Sequence, residues 1–201
     1  MAVKDFPSIT ADAESWSVIS NTQGFTSDLN GATQTAVLPG ARWSASLTFT
    51  NRTGREARAL QGFLAGLQGT AGRFYLTPVH WTPLGSPAGT PVVAVSQSPN
   101  AITLQTSGWN VSVTDLLVSG DYFEINGELK KITADVSSNA SGEATLEFAP
   151  PLRIAATLGQ SIRYTEPRSI MQLKGDDQAS WQASGPHIYA VTMDAFEALD
   201  I

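Results

Sequence analysis

Residues 41–50 read Ala-Arg-Trp-Ser-Ala-Ser-Leu-Thr-Phe-Thr. Trp43, Ala45, Leu47 and Phe49 recur at every second position, with Ser44, Ser46, Thr48 and Thr50 between them. A strand sends alternate side chains to opposite faces, so this pattern predicts a half-buried β-strand. Upstream, residues 16–38 are rich in Ser, Thr and Val and contain Asn30-Gly31, a dipeptide that tolerates positive φ and favours hairpins. Two or three strands are expected there, broken near Asn30-Gly31 and Pro39-Gly40.

Downstream the period changes. Thr53 and Glu56 match a capping box, and Leu60, Phe63, Leu64 and Leu67 follow at i, i+3, i+4 and i+7. With Gly69 as a stop, the spacing predicts one helix over residues 54–68. Gly62 and Gly66 lower helix propensity by about 1 kcal/mol each. They are either tolerated or allow close approach to a sheet. Residues 73–77 read as a short strand ended by Pro78.

Residues 78–91 hold Pro78, Pro83, Pro87 and Pro91 with Gly85 and Gly89, which marks a linker or long loop and a domain boundary. Strand chemistry returns over residues 92–165. Ile102 to Leu104 alternates, and residues 121–132 read as a hairpin around Asn126-Gly127. A three-residue loop is preferred over a two-residue turn, because it pairs Ile125 with Leu129 and Glu124 with Lys130. Ala144, Leu146 and Phe148 point inward, with Glu143, Thr145 and Glu147 outward. Residues 162–164 form a last short strand. So many short strands in about 70 residues suggest a small barrel. Strands at residues 170–173 and 187–196, the latter with Tyr189, Val191 and Met193 on one face, then complete the earlier sheet. The expected fold is mainly β: a β-sandwich with one helix from residues 1–91 and 166–201, carrying an inserted small β-barrel domain at 92–165.

Composition narrows the function. The 201-residue chain has no cysteine and a formal net charge of −6. A chain of this length buries roughly 70% of its unfolded surface and needs no disulfide or Cys-based zinc staple. No basic stripe marks a phosphate-gripping nucleic-acid binder. No long apolar run spans a membrane, and residues 1–9 lack a signal-peptide core, so a soluble protein outside the usual secretory route is expected.

Reactive groups are sparse. His80 and His187 are the two histidines, and no Gly-x-Ser-x-Gly elbow accompanies them. Asp176-Asp177 after Gly175 reads as a solvated turn rather than a metal site. Glu124, Glu128, Glu143 and Glu147 are near enough in sequence to raise a two-carboxylate glycosidase, with solvent exposure as the simpler account of Glu143 and Glu147. Gly66, Gly69 and Gly72 follow a helix instead of preceding one, unlike a phosphate-binding loop. Asn51, Asn110 and Asn139 open glycosylation-type triplets that carry no weight without a signal peptide. Trp16 and Trp43 look inward; Trp81, Trp109 and Trp181 flank turns and suit an exposed, sugar-stacking role. No catalytic, cofactor-binding or metal residue is assigned.

The order of pieces is more telling: Pro39-Gly40-Ala41-Arg42-Trp43 into a strand, the helix with Leu60-Gln61-Gly62-Phe63-Leu64, the strand at Phe74-Tyr75-Leu76, then Gly120-Asp121-Tyr122-Phe123 and Pro150-Pro151-Leu152-Arg153 in a barrel-like segment, then closing strands. This succession resembles the distal tail proteins of long-tailed (siphovirus-type) bacteriophages over most of the chain. The resemblance implies a non-enzymatic ring, a hexamer, in the virion at the tail tip or baseplate, made in the host cytoplasm. It implies the tail tube protein on one face and hub, fibre and receptor-binding proteins on the other.

Exposed strand edges or the arm of residues 1–13 are expected to join neighbours by strand addition. Six copies would carry six times −6, or −36, which would let DNA pass a lumen without specific binding. The alternative is a carbohydrate-binding β-sandwich module contacting host-surface glycans through Trp81, Trp109 or Trp181.

Overall fold

Arg42–Arg52 form an eleven-residue strand, β5, and Trp43, Ala45, Leu47 and Phe49 are all buried, as the alternation requires. In the computed structural model, which describes residues 2–178, 180–185 and 188–199, β5 lies near one edge of a seven-stranded sheet. The path runs β1 (Lys4–Asp5), β6 (Phe74–Leu76), β12 (Ser169–Leu173), β14 (Ile188–Glu197), β5 and β2 (Ala13–Ile19), with β13 (Gln182–Ser184) branching from β14. The molecule is mainly β with one helix and includes a curled, half-barrel sheet, consistent with a β-sandwich with one helix.

The helix α1 spans Gly54–Leu67 and buries Ala57, Leu60, Leu64 and Leu67. The three leucines join Leu47, Phe49, Phe74, Met171 and Met193 of the seven-stranded sheet in one cluster. Each fully buried Leu stabilises the contact by roughly 1.5–3 kcal/mol. The helix N-terminus differs from the expected cap. Thr53 makes no side-chain cap bond, and Glu56 pairs with Arg52 at 3.6 Å. Gly54 at φ +54° leads the chain into the helix, a departure from capping-box geometry. The helix stops as expected just before Gly69, with Gln68 as the C-cap and both residues left-handed, at φ +57° and +66°. Gly69 is needed for another reason: a Cβ there would collide with the Asp176 carboxylate, which accepts the Thr70 N–H at 2.8 Å. Gly62 and Gly66 are exposed, so neither brings the helix closer to the sheet.

The N-terminal segment is docked on its own chain instead of reaching out freely. Lys4–Asp5 pair in parallel with Phe74–Tyr75, and Phe6 lies against Phe49, Phe63 and Phe74. Phe6 is half-buried there, so it gains part of the roughly 1.5–3 kcal/mol that full burial of such a side chain provides.

The second sheet has the order β7 (Gly89–Val93), β8 (Thr103–Trp109), β11 (Ala144–Ala149), β10 (Glu128–Ile132) and β9 (Tyr122–Ile125). It encloses its own cluster, including Leu104, Leu117, Phe123, Leu146, Phe148 and Ile162. Residues 162–164 do not form a regular strand. Isolated bridges join Ser161 to Val92 of β7 and Arg163 to Glu124 of β9, so this segment ties together the two edges of the curled sheet. Unpaired edges invite association, and the bridging segment covers both.

The hairpin at Asn126-Gly127 has a two-residue turn, not the expected three-residue loop: Ile125 pairs with Glu128, and Glu124 with Leu129. Asn126 at φ +57° and Gly127 at φ +73° match the doubly left-handed turn whose twist suits antiparallel strands. Turn geometry therefore overrides the attraction of a Glu124–Lys130 cross-strand pair.

β6 and β12 are antiparallel neighbours, so the chain leaves the first sheet and returns to it side by side. The strand expected at 187–196 is β14, with Val191 and Met193 buried and Tyr189 half-buried; His187 lies outside the described residues.

Candidate assembly surface

β2 and β5 continue beyond the first sheet as a two-stranded ribbon, β3 (Thr22–Thr26) and β4 (Thr33–Val37). Every residue of both strands is exposed, and no third strand joins them among the described residues. Phe25, Leu29 and Val37 are 70%, 98% and 77% exposed. Asn30 shapes the tip by accepting the Ala32 N–H through its side chain, within a loop longer than a two-residue turn. An isolated two-stranded hairpin is marginally stable in water, so a ribbon with large apolar side chains and both faces open is suited to a partner. At its base, β2 is the terminal strand of its sheet, with no further strand paired to it among the described residues. The Ser-, Thr- and Val-rich composition predicts strands here, but composition does not distinguish a solvent-exposed ribbon from a sheet.

The Pro-rich segment is anchored at both ends by carboxylates. Glu14 accepts the Val79 and His80 N–H groups, and Asp121, 1% exposed, accepts those of Leu84, Gly85 and Val118. A groove of about 920 Å³ follows this segment, with Trp81, Tyr164, Thr10, Ser86 and Glu166 among its walls. Trp81 is half-buried and meets the Tyr122 ring edge-on at 5.2 Å.

The other tryptophans separate. Trp109, expected at the surface, is 4% exposed: its indole N–H donates to Thr106 Oγ1 at 2.7 Å and its ring lies 5.5 Å from that of Tyr164. Gly108, at φ +87°, lies within β8 against the Thr90 carbonyl of β7, where the pairing of the two strands is irregular. Trp181 is half-buried against the helix-side core, as is Trp16. Trp43 is buried at the contact between the two sheets.

The four glutamates sit in different surroundings. Glu124 is held by Arg168 and Arg163; burial pushes its carboxyl above the ordinary value, with both arginines opposing. Glu128 is fully buried against Lys130 at 2.6 Å. Glu143 accepts from the Asn139 side chain, and Glu147 is exposed on β11. His80 is exposed and its Nε2 lies 2.8 Å from the Ala11 carbonyl oxygen. Asp176 is held below the usual carboxylate value by the Thr70 backbone hydrogen bond. Among the described residues, no three His, Asp or Glu side chains gather as a metal-binding group. No helix among them is long and apolar enough to cross a membrane.

The Gly120–Phe123 and Pro150–Arg153 motifs both fall at the junction between the sheets. Tyr122 meets Trp43 there, and Arg153 reaches Glu197 at 2.8 Å. Comparison of the sequence with protein-family models and with curated proteins gives no match.

Proposed function

We propose that this chain is a structural ring subunit of a phage tail tip, a homohexamer that joins the tail tube to the hub and receptor-binding proteins. The observation that carries the reading is the β3–β4 ribbon, exposed on both faces and bearing Phe25, Leu29 and Val37. A contact between two different surfaces, repeated by rotation, closes into a ring. The ribbon supplies one such surface and the terminal strand β2 a site for strand addition. Residues 92–165 serve in this reading as an inserted platform that faces outward, with its separate hydrophobic cluster as support.

Mass photometry and negative-stain imaging of the purified chain test the proposal. Rings of about six 21.3 kDa copies are expected, and deletion of residues 22–37 is expected to leave folded monomers. A chain that stays monomeric at every concentration and binds glycans overturns it. That outcome favours the second reading, a carbohydrate-binding module, for which the groove beside Trp81 and Tyr164 is the supporting observation.

A further inference from the structure

Four charged side chains lie along the contact between the two sheets. Glu128 and Lys130, both fully buried, form an ion pair at 2.6 Å. Their remaining bonds all go to one loop: Glu128 accepts the Arg153 and Ile154 N–H groups at 3.1 and 2.9 Å, and Lys130 donates to the Pro151 carbonyl at 2.8 Å. The loop backbone so held aims the Arg153 side chain at Glu197 of β14, 2.8 Å away. Glu197, also fully buried, accepts the Trp43 N–H at 3.1 Å, which ties the series into β5. Glu128, Lys130 and Arg153 belong to the stretch around the curled sheet; Glu197 and Trp43 belong to the seven-stranded sheet.

We infer that this series of charges is an orientation latch: Glu128 and Lys130 position the 151–154 loop, and the Arg153–Glu197 pair then fixes the angle between the two sheets. An apolar contact is non-directional and tolerates sliding. Separating Arg153 from Glu197 is costlier: Glu197 is fully buried and the Arg153 side chain only 15% exposed, so displacement leaves the Glu197 charge uncompensated away from water, although the contact is an ion pair without hydrogen-bond geometry at Arg153 Nη1. The two acids balance the two bases, so the locked arrangement is neutral while each partial one is not. The same contact also holds an aromatic cluster, Trp43 with Tyr122 and Leu129, flanked by Trp16 and Trp81, the Ile170 N–H donating to the Gly127 carbonyl at 3.1 Å, and Arg168 beside Glu124 at 3.6 Å. The inference stands apart from the ring-subunit reading, since it concerns one chain.

The absence of cysteine allows clean spin labelling. Arg58→Cys on the exposed side of α1 and Thr145→Cys on the outer face of β11 place one label on each sheet layer. In the otherwise unchanged chain, double electron–electron resonance is expected to give a single narrow distance distribution. The double variant Arg153→Met/Glu197→Leu leaves neither partner of that pair charged and is expected to remain folded by near-ultraviolet circular dichroism while the distribution widens about twofold or more. A folded double variant with the parent distribution overturns the latch and assigns the angle to the remaining contacts between the sheets. Should the double variant fail to fold, hydrogen exchange on the parent chain decides. Protection of the Trp43, Arg153 and Ile154 amides by about a thousandfold or more supports the latch, and exchange at the rate of open loops overturns it.

Discussion

The indole Nε1 of Trp43 donates to the backbone carbonyl of Leu129 at 2.7 Å, so a strand of one sheet is hydrogen-bonded through its side chain to a strand of the other. The same residue's backbone N–H is taken by Glu197, and its ring meets Tyr122 at 5.7 Å. Trp43→Phe retains an aromatic ring but leaves the buried Leu129 carbonyl without its donor. A loss of about 1–3 kcal/mol is expected, read as a lower urea midpoint with an unchanged slope.

Lys130→Met leaves Glu128 buried and unbalanced, and about 3–5 kcal/mol of stability is expected to be lost. Replacing both partners often rescues a buried ion pair. Here Glu128→Leu/Lys130→Met also strands the Arg153 and Ile154 N–H groups and the Pro151 carbonyl. The double variant is therefore expected to recover little, and a chemical-denaturation cycle over the four chains measures this.

Asp12 accepts the N–H and hydroxyl of Thr50, and those bonds, with Arg52 assisting, hold its carboxyl below its ordinary 3.8. A depressed carboxylate contributes stability above its unfolded value and loses it as pH falls through the folded one. Thermal unfolding of the parent should thus drop in acid below about pH 4, and Asp12→Asn should flatten that part of the profile. At neutral pH the cost of the substitution is about 1 kcal/mol or less, because a side chain 42% exposed is screened by solvent.

Gly127→Ala places a Cβ at φ +73° and 2.6 Å from Ile170 Cδ1. A left-handed alanine costs about 1–2 kcal/mol, and the Ile170 terminus has to rotate away. Asn126→Gly keeps the handedness but removes the side-chain bonds to the Ala155 carbonyl and to Gln160, so a loss of about 1 kcal/mol is expected. Urea midpoints of the two variants separate the turn requirement from general sensitivity of the hairpin.

Phe25→Ser/Val37→Ser alters two side chains that face solvent on the ribbon. The monomer is expected to keep its stability within about 0.5 kcal/mol, while self-association measured by sedimentation weakens at least tenfold. Unchanged association would remove the ribbon from the assembly surface.

Much of the architecture was legible because periodicity reports burial directly. The alternation in β5 and β11 and the 3.6 spacing in α1 correspond to the residues that are buried. The misread features were set by contacts distant in sequence or by backbone geometry. Trp109 turns inward because Thr106 and Tyr164 receive it, and no local pattern marks that. At Asn126-Gly127 the left-handed backbone of both residues sets a two-residue turn, and matched cross-strand charges do not shift that register. Phe6, a lone aromatic in a polar segment, was the available sign that the N-terminus docks on its own chain.

The amino-acid order alone determined that the chain is mainly β with one amphipathic helix, since strand and helix each impose a period on whichever residues face a core. Only tertiary structure decided which carboxylate meets which cation. Glu197 lies 44 residues beyond Arg153 and more than 150 beyond Trp43, and a buried charge selects its partner by position in space. The exposure of the β3–β4 ribbon was decided at the same level, because its composition suits a sheet and only the absence of a covering layer leaves both its faces in water.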